Sequence, residues 1–239
     1  MISVWLHNLA LAFLSLGIVC AVVIAIDLTR YPQHMWIMNV VWPVNGLFGT
    51  VPTLWFYFRF GRLAACDVKT SSDKSSKNST PYPVMVAKGA MHCGAGCTLG
   101  DIIAEGLALA FPVIAVWAGW HSLFSEKMFA IWIVDYIFAF VLGVAFQYFT
   151  IKPMRQLSPG EGIRQALKAD ALSLTAWQVG MYGFMAIAQF VLFRKLLGQK
   201  LDASMPEFWF MMQIAMMAGF LTSYPVNWWL IKVGVKERM

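Results

Sequence analysis

Charge is scarce in this sequence: Asp, Glu, Lys and Arg supply 13% of its residues, against about 25% in soluble domains. That scarcity excludes an ordinary water-soluble fold. Cysteine and histidine number four each, and no Cys-x2-Cys pair occurs, so the zinc-ribbon pattern is excluded. Also absent are a Gly-rich phosphate loop, a Gly-x-Ser-x-Gly elbow and a His-Glu-x-x-His motif. Nothing positive supports an enzyme. The opening Met1-Ile2-Ser3 has no Lys or Arg, the apolar stretch is long, and no clear small-x-small cleavage site precedes Asp27, which argues against a cleaved signal peptide and for a retained first span.

Apolar residues, in contrast, make up 59% of the chain, with 11 Trp and 18 Phe, and the mean hydropathy is +0.64. This is the composition of a membrane protein whose first partner is the lipid bilayer. A net charge of +6 is compatible with nucleic acid, but the Lys and Arg residues follow the ends of apolar runs, which is the membrane pattern.

A span needs about 20 mainly apolar residues. Six stretches qualify: Val4–Ile26, Met35–Phe58, Met91–Gly119, Phe129–Phe149, Ala171–Phe193 and Phe208–Ile231. The expected fold is all-α, a single polytopic membrane domain over residues 1–239. Between spans two and three lies the long loop Arg59–Lys88, whose Ser-rich core Lys69–Ser79 is expected to be disordered. One set of loops holds 13 of the Lys and Arg residues and the other holds 5. Positive-inside then places both termini and the Ser-rich loop in the cytoplasm. Ser158–Lys168, with Pro159 near its start, reads as a short interfacial helix leading into span five.

The chemistry concentrates at the head of span three. Cys93, Cys97, Asp101 and Glu105 recur every four residues, which on a helix makes one polar stripe. The stripe drifts by about 40° per step, so neighbours can share a site while its ends need not. On the outward-to-inward return, Asp135 of span four comes near the level of Glu105, giving Asp101, Glu105 and Asp135 as an ion or proton path. Intramembrane carboxylates usually face a cavity, an ion path or a partner; the plainer reading is hydrogen-bonded carboxyls that pin helices. His92, Cys93 and Cys97 form a candidate soft-metal site, since thiolates and imidazole suit copper or zinc. The plainer alternative is a packing seam, with Gly96 and Gly100 allowing close helix approach. Two local geometries stay open. Either the helix begins near Ala90, or Thr98 caps a shorter helix and His92–Cys97 is a loop over its N-terminus. His7 is expected near the cytoplasmic start of span one, where it could approach His92 but reads better as an interface histidine. His34 and His121 fall in outer loops.

Trp42-Pro43-Val44-Asn45 and Tyr224-Pro225-Val226-Asn227 echo one another. Paired Pro-interrupted helices can mark transporter repeats. The simpler expectation is two kinks, with Asn45 and Asn227 satisfying the carbonyl that each proline frees.

Three stretches resemble the motifs of a prokaryotic membrane family known as domain of unknown function 4396. They are Met91–Asp101, Lys168-Ala169-Asp170-Ala171-Leu172-Ser173-Leu174-Thr175-Ala176 and Tyr224-Pro225-Val226-Asn227-Trp228-Trp229-Leu230. The likeness covers roughly Trp36 onward, outside the Ser-rich loop. It implies a multi-pass protein of the bacterial inner membrane and no particular activity. Two functions follow from the residues. One is ion handling, with copper or zinc at His92, Cys93 and Cys97 and a path through Asp101, Glu105 and Asp135. The other is a non-transporting subunit, or a redox or metal sensor, in which the Gly/Cys segment packs helices.

Overall fold

The computed structural model describes residues 4–62, 80–155 and 157–236; the Ser-rich core Lys69–Ser79 lies outside them. Helices form the whole architecture: α1 (Val4–Arg30), α2 (Met38–Phe56), α3 (Tyr82–Ala110), the short α4 (Val113–Trp117), α5 (Lys127–Arg155), α6 (Pro159–Ile187) and α7 (Pro206–Lys232). Wider-wound π-helical turns extend α2 through Tyr57–Gly61 and α6 through Ala188–Leu196. Among the described residues there is no β-strand.

Local chemistry sets the helix ends. Ser158 and Glu161 close a capping box on α6 with Pro159 just inside it, so two orphan N–H groups are satisfied at once. The expected interfacial helix is therefore the first turns of α6 itself. Pro81 opens α3, and Pro112, directly after Phe111, stops it because proline cannot donate to a continuing helix. Among the described residues, four helices are long and apolar enough to cross a membrane: α1, α3, α5 over Lys127–Lys152, and α6 with its extension. The fifth long helix, α7, matches α1 at 27 residues but carries Gln213 and Asn227 on its buried face. The chain is an all-α membrane protein.

The second expected span is not one straight helix. At Thr50 the backbone leaves the helix, with φ 42° and ψ −127°. Trp42 then stacks edge-on against Tyr57 at 5.4 Å and packs on Phe56 at 6.0 Å. A Cβ on Gly61 would meet the Trp42 ring at 2.7 Å. In a straight helix residues 42 and 61 would be about 28 Å apart. The chain has doubled back: residues 38–49 and 51–61 form a re-entrant helical hairpin, each arm under about 20 Å long and too short for a core of about 30 Å.

This reverses α1 relative to the sequence expectation. His7 near its start bonds Glu207 at the start of α7, 2.8 Å away, and Gln213 donates to the Phe13 carbonyl. At the far end of α1, Asp27 takes a 2.8 Å hydrogen bond from Tyr57 and pairs with Arg62 at 3.4 Å. Val4 and Lys232 therefore sit at opposite ends of the bundle, which corrects the expectation of both termini on one side. It also separates His7 from His92 and His34 from His121. Arg30, Arg59, Arg62, Lys88, Lys152, Arg164, Lys168, Lys232 and Lys236 lie towards the Lys232 end, and Lys127, Arg194, Lys195 and Lys200 towards the Glu207 end. The hairpin moves Arg30 into the majority set, so the charge asymmetry sharpens.

At the centre stands α3, buried almost continuously from Val86 to Thr98 and packed on α2, α5, α6 and α7. Gly96 abuts Gly143 of α5 and Gly100 abuts Ala139, where an added Cβ would come within 2.8 and 2.5 Å of backbone. On the other side Gly94 and Gly219 make room for the fully buried Trp177 ring.

Candidate functional site

The Gly-rich head of α3 is helix throughout, from Tyr82 to Ala110, so of the two geometries the loop is the one discarded. Thr98 is a mid-helix residue whose hydroxyl donates to the Gly94 carbonyl at 2.8 Å. Because the span begins at Tyr82 and ends before Pro112, it is shifted towards the N-terminus relative to Met91–Gly119. Cys93 and Cys97 consequently lie about 17 and 22 Å along the helix, in the middle of the bundle and not at its mouth. Asp101 and Glu105 lie about 14 and 8 Å from the other end.

Asp135 on α5 sits about 12 Å from the start of its helix, at the depth of Asp101. The two are wholly buried and close enough to interact, with Glu105 also within electrostatic reach of Asp135. None of their four carboxyl oxygens has a hydrogen-bond partner among the described residues. Gln178 of α6 stands beside Asp101, yet its amide atoms are also unpartnered. Burying such groups is costly unless a proton, a water or a cation meets them. Tyr182 closes the cluster from α6, its hydroxyl tied to the Trp132 carbonyl at 2.9 Å.

Glu105 faces a cleft of about 350 Å³ at the Glu207 end, lined also by Trp120, His121, Glu126, Lys127, Lys200 and Asp202. Its charges are partly neutralised in place. Arg194 pairs with Glu126 at 2.8 Å, and Lys127 lies within electrostatic reach of both Glu105 and Asp202. Burial pushes the Asp202 carboxyl up, but hydrogen bonds from the Ser204 hydroxyl and N–H, with Lys127, hold it net below its ordinary value. Glu105, one helical turn from Asp101, lines this cleft, whereas Asp101 and Asp135 lie deeper and do not.

The thiols differ. Cys93 and Cys97 are buried within the apolar cluster of Leu174, Trp177 and Met181, adjacent to one another. His92 turns to α5, where Nε2 lies 3.4 Å from the Thr150 hydroxyl and the ring packs edge-on to Phe146. Among the described residues no group of three or more His, Cys, Asp or Glu comes together in a way that could hold a metal ion. Pro43 and Pro225 do lie inside helices, but their asparagines do not cap the carbonyls those prolines free, which belong to Asn39 and Leu221. Asn45 donates to Val41 O at 2.7 Å and to Met91 O on α3 at 3.0 Å. Asn227 donates to Ser223 O at 2.9 Å and to the Ser173 hydroxyl on α6 at 2.7 Å. Both are cross-helix clamps, one each side of the start of the buried stretch of α3.

Among the described residues, sequence reasoning missed the Asp27–Arg62 and Glu126–Arg194 pairs and two further polar pairs that bear on how the helices are arranged. One is His7–Glu207, invisible while α1 was oriented the other way. The second is Asp170–Lys236, wholly buried on both sides. Its signal was Gly234 just past the last apolar residue, where a left-handed cap turns the chain back.

The long apolar helices define a polytopic membrane protein, and its central helix carries buried carboxyls that have no hydrogen-bond partner among the described residues. The chain belongs to the domain of unknown function family DUF4396, whose model matches residues 84–236. The matched region begins in α3 and runs past α7 to Lys236, leaving α1 and the re-entrant hairpin outside it. No curated protein and no solved structure matches the chain.

Proposed function

We propose that this protein handles cations within the membrane, protons foremost, through Asp101, Glu105 and Asp135. The observation that carries this reading is the pair Asp101 and Asp135, fully buried and, among the described residues, without a well-formed hydrogen bond to any carboxyl oxygen, while Glu105, one helical turn from Asp101, lines a surface cleft. A carboxyl can accept a proton at one face and release it at another, and groups in electrostatic contact make each transfer alter the next. The richer Lys and Arg complement of the Lys232 end supports placing that end in the cytoplasm, and the membrane we propose is the inner membrane of a bacterium.

The test is proton uptake into proteoliposomes driven by a potassium diffusion potential and read with a pH-sensitive dye. Asp101→Asn and Asp135→Asn are expected to lower the rate about tenfold or more, a barrier change of at least about 1.4 kcal/mol. Wild-type protein that passes no protons, or variants that keep the full rate, overturn the reading. Copper or zinc at His92, Cys93 and Cys97 is the finer version, and the separate direction of His92 supports it less than the carboxylates. In its metal assay, Cys93→Ala/Cys97→Ala is expected to leave the metal content of purified protein unchanged.

A second reading has its own observation. The Gly96–Gly143 and Gly100–Ala139 contacts support a non-transporting subunit in which α3 is a packing spine. It prevails if the carboxylate variants lose thermal stability while proton uptake is absent in all samples.

A further inference from the structure

A second buried polar cluster lies at the Lys232 end, apart from the carboxylate path. Beyond α7, Gly234 adopts φ +76°, and the N–H groups of Val235 and Lys236 both donate to the Leu230 carbonyl, at 3.0 and 3.2 Å. This left-handed cap folds the chain back, so that Lys236 enters the bundle and not the water. Its ammonium donates to the Gly89 carbonyl at 3.2 Å, the Ser173 hydroxyl at 3.4 Å and Asp170 Oδ1 at 3.5 Å.

An ammonium has three hydrogens, and these three acceptors use them. Two more oxygens are left over. Asp170 Oδ2 and Asn227 Oδ1 are buried and have no partner among the described residues. Asn227 Oδ1 and the end of the Lys236 chain lie against the same face of Gly89. The cluster therefore offers five oxygens (two carboxylate, one backbone carbonyl, one hydroxyl, one amide) where the ammonium uses three. All are hard donors, the kind that take alkali and alkaline-earth cations and not copper or zinc. Among the described residues the cluster holds one negative charge, that of Asp170, which matches a monovalent ion better than a divalent one.

We propose that the Asp170 cluster is a binding site for a monovalent metal cation of the sodium class, which the Lys236 ammonium occupies as a tethered substitute. The turn at Gly234 is the arm that delivers the lysine, and lysine and cation compete for the same oxygens. This holds whether or not Asp101 and Asp135 carry protons, and its test involves no transport.

Melting of the purified full chain is compared in sodium chloride and choline chloride at equal ionic strength. The wild type responds least. Lys236→Met melts higher in sodium, by about 3–6 °C once sodium exceeds its dissociation constant tenfold, and the gain saturates. Asp170→Asn/Lys236→Met removes both charges of the pair, folds, and melts alike in the two salts. The proposal fails if Lys236→Met shows no preference for sodium, or if the double variant keeps one. Recovery of Lys236→Met in sodium alone supports it. If that variant is recovered in neither salt, the wild type decides: sodium should speed acylation of Lys236 by an amine reagent, read by peptide mass spectrometry, and equal rates in both salts overturn the competition.

Discussion

Gly96 lies between the two thiols of α3 and Gly100 between Cys97 and Asp101, and their role is geometric. Each lets the α3 backbone touch α5, at Gly143 and Ala139, and that contact brings Asp135 to the depth of Asp101. In lipid, helices gain no hydrophobic drive from packing on one another, so close approach at small residues supplies much of the association. Gly100→Val would place new carbons where the Ala139 backbone already lies, at 2.5 Å from the first of them. Overpacking of that kind costs about 1–3 kcal/mol, and a shift of backbone rather than side chain puts this site at the upper end. Gly106, five residues beyond Asp101 on the same helix, has nothing within 4 Å of an added Cβ. Gly106→Ala is expected to be neutral or to stabilise by about 0.5–1 kcal/mol, since alanine loses less backbone freedom in a helix. Thermal melts of both variants check the contrast; equal effects would mean that α3 and α5 do not meet at this seam.

At the scale of the element, Thr50 decides what α2 is. Its φ of 42° with ψ of −127° is a backbone region that glycine enters freely and a β-branched residue does not. Strain of this type costs about 1–3 kcal/mol, and Thr50→Gly is expected to return part of it as a higher melting temperature. If α2 were a continuous span, the same change would place a helix-breaking glycine in its middle and lower the melting temperature instead. The contrast explains which elements could be read from sequence. A run of apolar residues reports burial in lipid, and for α1, α5 and α6 burial and crossing coincide. For Met35–Phe58 they do not, because the reversal rests on one residue's backbone angles, and Gly49-Thr50-Val51-Pro52 looks in sequence like an ordinary kink. In α3 the error was one of register: apolar character continues past Ala110, while Pro112 ends the helix. The candidate carboxylates were legible because charge inside an apolar run is rare. Lys236 was not, since a lysine after the last span looks like a tail until Gly234 turns it inward.

At the scale of the whole molecule, the hairpin changes the number of crossings before α3 from two to one, and this fixes sidedness for everything else. Val4 and Lys232 face opposite sides, α1 runs parallel to α7, and Arg30 joins the Lys/Arg-rich end. Polar pairs tie the arrangement together at both ends, a hydrogen bond from His7 to Glu207 at one and an ion pair of Arg62 with Asp27 at the other. A six-crossing chain would place His34 and His121 on the same side of the membrane, opposite Ser158. With a re-entrant α2, His34 and Ser158 share the Lys232 end and His121 lies at the other; all three residues are exposed. Single cysteines at these positions, with Cys66 replaced by serine, are to be labelled by a membrane-impermeant thiol reagent in sealed vesicles of one orientation. Cys20, Cys93 and Cys97 are buried and contribute little signal. The expected result is that His34→Cys and Ser158→Cys label together, and that His121→Cys labels only in vesicles of the opposite orientation. Labelling of His34→Cys together with His121→Cys would restore the second crossing, put Arg30 back among the minority charges, and leave the His7–Glu207 pair impossible, since its partners would then lie on opposite faces of the bilayer.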